Sequence, residues 1–286
     1  MSEKKFEFKR KNNYQDKVIG WIKSKLQSHN DILFIPNEEC IKGYYKGLVL
    51  FEKITDRCQN LVKRCSKMNL DEAVNEVGCG MPRDRERRTQ QIIALNNMSF
   101  DNSRYSVCGF ETTVSQNDVQ IPGKKGNPEM DLVVINPSGK KMLLVEYKCK
   151  GASMLKGRQN IKYHYKDYKK ILDSAVISTI KSEMIKSYKL LCRIHDKRIK
   201  DEDFNPDDYE VQIAFLFVDR VLDRYGNIES EITFNDYKDA MKIFNQLPPD
   251  ELEKVLYIRC ETTDEVILDN WKPVANSGLK KTIGER

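Results

Sequence analysis

The sequence predicts an α/β (α+β) protein: a central mixed β-sheet flanked by helices, with an N-terminal helical region. Three observations carry this. "VQIAFLFV" (211–218) is an unbroken apolar run of the kind found in a strand covered on both faces. "DLVVIN" (131–136) and "KMLLVEYK" (141–148) are two apolar strands separated by turn residues. Segments with helical spacing alternate with these strands, which is the signature of helices packed on a sheet.

The elements follow in order. "YQDKVIGWIKSKLQ" spaces Val18, Trp21 or Ile22, and Leu26 as one helical face. "ECIKGYYKGLVLFEKITDRCQNLVKRC" continues as a helical segment, so residues 1–80 read as an N-terminal helical region. Gly78, Gly80 and Pro82 break the chain and open a second domain over 81–286. "RDRERRTQQIIALNNM" is a helix with acidic residues near its start. "SVCGFETTVSQ" is a strand, and the apolar hairpin follows it. A basic helical region spans about 158–200, closed by "DEDFNPDD". After the strand 211–218, "NDYKDAMKIFNQL" is a helix opened by a capping Asn or Asp. "KVLYIRCE" is a further strand, and residues 276–286 form a frayed tail.

Composition narrows the class. Of the 286 residues, 40% are hydrophobic and 32% charged, as in a soluble globular protein. No apolar run approaches the ~20 residues of a membrane span. The N-terminus is polar and basic and lacks the apolar core of a secretory signal, so a cytoplasmic protein is expected. The eight cysteines include no C-x-x-C pair and read as reduced thiols. With only three histidines, a His-rich metal site is disfavoured. The net charge is +6, and between residues 147 and 200 fifteen Lys and Arg stand against four acids. Such a segment suits a polyanion, although a solvated helix face produces the same pattern.

Charges inside the hairpin are harder to explain structurally. If the loop is Ser138-Gly139 or the four residues 137–140, Asn136 pairs with Lys141. Asp131 then falls opposite Glu146, and Glu129 opposite Lys148. Alternation puts all four on one face, with facing Cβ atoms about 5 Å apart. Two carboxylates that close repel. A divalent cation removes the repulsion, because hard cations take oxygen ligands from several carboxylates. Lys148 sits beside them as a cation able to stabilise charge developing on a phosphate. The bland alternative is an ordinary Glu129–Lys148 cross-strand pair with Asp131 at a solvated strand end.

Asp131, fourteen intervening residues, and then Glu146-Tyr147-Lys148 on two apolar strands resemble the PD-(D/E)XK nuclease superfamily. The resemblance covers roughly 83–261 and departs from the family's pattern in one place: Met130, not proline, precedes Asp131. It implies a restriction-endonuclease-like core in which Asp131 and Glu146 hold Mg²⁺ or Mn²⁺ and Lys148 assists hydrolysis of a phosphodiester. Glu86, on the first core helix, is the candidate for the Glu that approaches the metal in many members. Glu129 is a reserve ligand. Gln159 and Tyr163 form Q-x-x-x-Y, similar to a motif of RecB-like members, and lie opposite the helix's apolar stripe of Ile161, Tyr165, Tyr168 and Leu172. They either face DNA with Lys162, Lys166 and Lys170 or face water. Downstream cysteines Cys149, Cys192 and Cys260 are too widely spaced for the family's iron–sulfur variant.

The resulting expectation is a metal-dependent nuclease hydrolysing phosphodiester bonds of DNA, of a kind used in restriction, phage defence or repair. Endonuclease or exonuclease action is left open, and Lys150, Gln159, Lys162, Tyr163, Lys166 and Lys170 are expected to contact nucleic acid. The alternative is a non-catalytic nucleic-acid-binding module on the same fold. A third class is an interaction scaffold whose N-terminal helices form a homodimer surface.

Overall fold

A computed structural model describes residues 12–275, apart from 37–39, 55–58, 62–64, 80–84, 99, 102–103, 116, 120–126, 156–159, 200–203 and 224. Helix α1 (Asn12–Leu26) opens the chain. Four strands follow: β1 (Leu33–Pro36), β2 (Ile41–Tyr45), β3 (Leu48–Ile54) and β4 (Gln59–Leu61), then α2 (Leu70–Cys79). β2, β3 and β4 are therefore strands of an antiparallel sheet, not the expected helix. Its turn explains why. Lys46 and Gly47 both have positive φ (48° and 79°), and Tyr45 pairs with Leu48. This is a two-residue turn whose twist matches the flanking strands. α2 runs through Gly78, while Gly80 and Pro82 lie outside the described residues.

Helix α3 (Arg85–Asn96) is latched to this small sheet. The Gly47 N–H donates to Gln91 Oε1 at 2.6 Å, and Gln91 Nε2 donates to Tyr44 O at 3.1 Å and Asp31 O at 3.0 Å. A Cβ on Gly47 would come within 2.5 Å of the Arg88 backbone nitrogen, so only glycine lets α3 approach so closely.

The main sheet has six strands. β5 (Ser106–Thr113), β6 (Glu129–Asn136) and β7 (Lys141–Lys148) form an antiparallel meander. α4 (Gly151–Leu155), α5 (Ile161–Leu172) and α6 (Val176–Ile194) lead to β8 (Glu210–Val218), which is parallel to β7. A short hairpin, β9 (Arg220–Leu222) and β10 (Ile228–Glu231), precedes α7 (Phe234–Phe244) and α8 (Pro249–Leu252). β11 (Leu256–Cys260) then pairs in parallel with β8, and β12 (Lys272–Pro273) closes the order β12-β11-β8-β7-β6-β5. The basic region is thus two helices, α5 and α6. Helix α7 is capped by Thr233 rather than by the expected Asn or Asp: its side chain accepts from the Asp236 N–H, and Asp236 accepts in return from the Thr233 N–H.

β6 and β7 are the centre of the core. Leu132 to Ile135 and Met142 to Val145 are fully buried and belong to one apolar cluster that includes the N-terminal elements. α3 packs against one face of the sheet, where Phe110 meets Tyr44. The other face is covered by α5, α6 and α7; Phe215 and Phe217 of β8 meet Phe244 and Tyr237 of α7 there. At the end of β8, Asp219 is clasped by Arg259 (2.8 and 3.0 Å) and by the Tyr237 hydroxyl (2.6 Å). No helix among the described residues is long and apolar enough to cross a membrane.

Candidate active site

The β6–β7 turn sets the site's register. Asn136 Oδ1 accepts from the Gly139 N–H at 2.9 Å, and Lys140 adopts a positive φ of 50°, closing a four-residue loop. Asn136 pairs with Lys141, and the ladder runs unbroken to Leu132–Val145. One step further, Asp131 takes the position facing Glu146. There the backbone ladder is replaced by a side chain: Asp131 Oδ2 accepts the Tyr147 N–H at 2.7 Å. The expected juxtaposition of Asp131 and Glu146 follows from this register.

Glu146 is held from three directions. Lys148 Nζ donates to Oε1 at 2.5 Å, and the Tyr168 hydroxyl donates to Oε2 at 2.7 Å. His164 Nδ1 lies 2.9 Å from Oε2, within ion-pair distance but outside hydrogen-bond geometry. Glu146 and Lys148 are each only 2% exposed. Lys148 thus pairs with Glu146, and not with Glu129 as in the alternative of an ordinary cross-strand ion pair. Residues two apart on one strand share a face, so a neighbour on its own strand satisfies the ammonium. Glu129 occupies the first position of β6, and on the β5 side it lies opposite Thr113.

The two carboxylates are electrostatically unequal. Burial, the Glu146 charge and the Glu86 charge all push the Asp131 carboxyl well above the ordinary range, and neither the Lys148 ammonium nor the Tyr147 N–H offsets them. Burial also works against ionisation of Glu146, but Lys148 and His164 outweigh it and hold that carboxyl down at about 2. Burial pulls Lys148 down while Glu146 and Asp131 pull it up, and the net direction is up. Burial and the Glu146 charge keep Tyr168 firmly protonated, so its hydroxyl is a donor.

Glu86 stands in the first turn of α3, and its charge reaches Asp131 and Lys148. Among the described residues no group of three or more His, Cys, Asp or Glu is arranged to hold a metal ion. Glu86 thus contributes field rather than completing a three-carboxylate cluster. Among the described residues the candidate donor set is Asp131 and Glu146. That set still fits Mg²⁺ or Mn²⁺, because Mg²⁺ keeps several waters and needs only one or two carboxylates. The raised Asp131 carboxyl marks the uncompensated negative charge that a cation would neutralise.

The nucleic-acid candidates lie elsewhere on α5 and β7. Lys150 is exposed just past the end of β7. Lys162, Tyr163, Lys166 and Lys170 share the solvent side of α5, Tyr163 being 49% exposed and Lys162 Nζ donating to Gln246 Oε1 at 3.1 Å. The buried side of α5 carries Ile161, Tyr165, Tyr168 and Ile171. The basic face of α5 thus turns away from Glu146. Gln159 lies outside the described residues. Cys40, Cys65, Cys108, Cys149, Cys192 and Cys260 are free thiols.

Sequence reasoning missed Tyr168 and His164. Tyr168 was legible only as a member of an apolar stripe. The available signal was its spacing, since His164 and Tyr168 stand at i and i+4 on the side of the helix that meets the sheet. No family model, curated protein or solved structure matches this chain.

Proposed function

We propose that this chain is a metal-dependent nuclease that hydrolyses phosphodiester bonds of DNA on a core similar to the PD-(D/E)XK superfamily. One observation carries the reading: Asp131 and Glu146 lie one step past the last ladder pair, Leu132–Val145, where Asp131 Oδ2 accepts the Tyr147 N–H, and Lys148 Nζ is 2.5 Å from Glu146. Asp131 and Glu146 would hold the cation. When bound, Mg²⁺ or Mn²⁺ supplies Lewis-acid charge to a phosphate and acidifies a water.

The chain's own groups then have distinct tasks. Lys148 stays protonated, because its carboxylate neighbours raise it. It therefore acts as a fixed positive donor for charge developing on the phosphate, not as a base that removes a proton. Glu146 stays ionised throughout the neutral range. Asp131 holds the Tyr147 N–H and with it the end of the strand that carries Lys148. Lys150, exposed beyond Lys148, would meet the backbone of a bound strand.

A second reading has its own observation. The Glu146–Lys148 pair is almost fully buried, with partners on both carboxylate oxygens. That arrangement also suits a structural ion pair in a nucleic-acid-binding module that does not cleave. Incubating the protein with circular and linear DNA in Mg²⁺, Mn²⁺ or EDTA separates the two. The nuclease reading expects cleavage that EDTA abolishes. Salt-sensitive DNA binding without cleavage in either metal would establish the second reading instead.

A further inference from the structure

Helix α5 brings two polar side chains onto one carboxylate. The Tyr168 side chain is fully buried, and its hydroxyl donates to Glu146 Oε2 at 2.7 Å. His164, one helical turn earlier, places Nδ1 2.9 Å from the same oxygen. Both His164 ring nitrogens are buried; Nδ1 meets that carboxylate oxygen, while Nε2 has no hydrogen-bond partner. An unpartnered buried polar group is costly, and an apolar side chain would fill the space without that cost. The rest of the buried side of α5, Ile161, Tyr165 and Ile171, is dominated by apolar packing. The other carboxylate oxygen, Oε1, is left to Lys148.

We infer that Tyr168 and His164 are positioning residues that hold Glu146 Oε2 inward, so that Oε1 is the oxygen turned toward Lys148 and a bound divalent cation. This rests on the nuclease reading above. The physical basis is torsional. The terminal torsion of a glutamate is broad and roughly two-fold, so an unrestrained carboxylate samples many orientations. A hydrogen bond to one oxygen removes that freedom. Partners of this kind orient metal ligands generally, and losing one costs roughly 10–100-fold in metal affinity or activity.

The test uses Mn²⁺ as the probe and the full-length protein. Isothermal titration gives its affinity, melts with Mn²⁺ and with EDTA give the metal-dependent rise in Tm, and plasmid cleavage is measured in parallel. Tyr168→Phe deletes only the hydroxyl. Tyr165→Phe is the matched control, because that hydroxyl donates to Glu251 Oε2 at 2.6 Å on the same helix. Tyr168→Phe is expected to weaken Mn²⁺ roughly 10-fold or more, to shrink the Mn²⁺-dependent rise in Tm, and to slow cleavage. Tyr165→Phe is expected to lower Tm equally with and without Mn²⁺ and to leave Mn²⁺ affinity unchanged. His164→Leu should weaken Mn²⁺ in its turn, and it carries the test if Tyr168→Phe does not fold. Wild-type protein that binds Mn²⁺ and cleaves, beside variants with unchanged affinity, overturns the positioning role alone. Wild-type protein that neither binds Mn²⁺ nor cleaves overturns the nuclease reading and this inference with it.

Discussion

The inequality of Asp131 and Glu146 yields a prediction of opposite sign for two similar substitutions. Glu146→Gln removes the charge that compensates a buried ammonium. The folded-state carboxyl lies at about 2 against an ordinary 4.5, a depression worth about 3 kcal/mol at neutral pH. Because the folded value is depressed, this stability is fully present above pH 4.5 and fades as pH falls toward 2. The raised Lys148 reflects the same interaction from its other end, so the two are not added. At roughly 2–4 °C per kcal/mol for a large domain, metal-free Glu146→Gln should melt about 6–12 °C below wild type. Asp131→Asn has the opposite logic. It removes a charge that burial, Glu146 and Glu86 all disfavour, while the Asn oxygen can still accept the Tyr147 N–H. Metal-free Asp131→Asn should therefore melt at or above the wild-type temperature. Circular-dichroism melts at pH 7 in EDTA measure both. A Glu146→Gln protein as stable as wild type, or an Asp131→Asn protein less stable than Glu146→Gln, would refute the charge assignment.

Lys148→Met should abolish cleavage yet increase the Mn²⁺-dependent rise in Tm, because it removes a positive charge competing with the cation for Glu146; wild-type cleavage rates would show that the ammonium plays no part. Replacing Lys162, Lys166 and Lys170 together by Ala should flatten the salt dependence of DNA binding by roughly 0.9 in log–log slope for each lost phosphate contact, without changing Mn²⁺ affinity. An unchanged slope would remove the outer face of α5 from the interface. Asp219→Asn leaves Arg259 without its bidentate partner, and should cost about 3 kcal/mol in urea unfolding. Its Mn²⁺ affinity should match wild type, and a loss there would tie the end of β8 to the site.

The central sheet was legible in the sequence because its signals are local. The apolar runs of β6 and β7 mark the strands, the Asn136–Lys141 turn determines their register, and that register brings Asp131 to the level of Glu146. The apolar run of β8 has one interpretation in a sheet covered on both faces. The N-terminal sheet was not legible, since apolar residues between Ile41 and Ile54 also satisfy helical spacing. The deciding feature is a backbone one, positive φ at Lys46 as well as Gly47, and lysine does not announce it. At the site, Lys148 had two acids within reach on paper, one across the strands and one beside it, and side-chain packing chose Glu146. Tyr168 and His164 were hidden for a different reason. Their contact with Glu146 joins a helix to a strand about twenty positions away, and an aromatic residue in an apolar stripe reads as core until its hydroxyl finds an acceptor.

The central claim is that Asp131 and Glu146 together form a metal-dependent phosphodiesterase site. The most direct measurement is the rate of Mg²⁺-dependent plasmid cleavage by Asp131→Asn relative to wild type, since this variant is expected to remain folded and loss of activity cannot then be attributed to loss of structure. The account predicts cleavage by wild type that EDTA abolishes, and a fall of at least about 100-fold in Asp131→Asn, in line with the several kcal/mol that a metal's charge stabilisation contributes. Asp131→Asn protein that melts like wild type and cuts at the wild-type rate would contradict it.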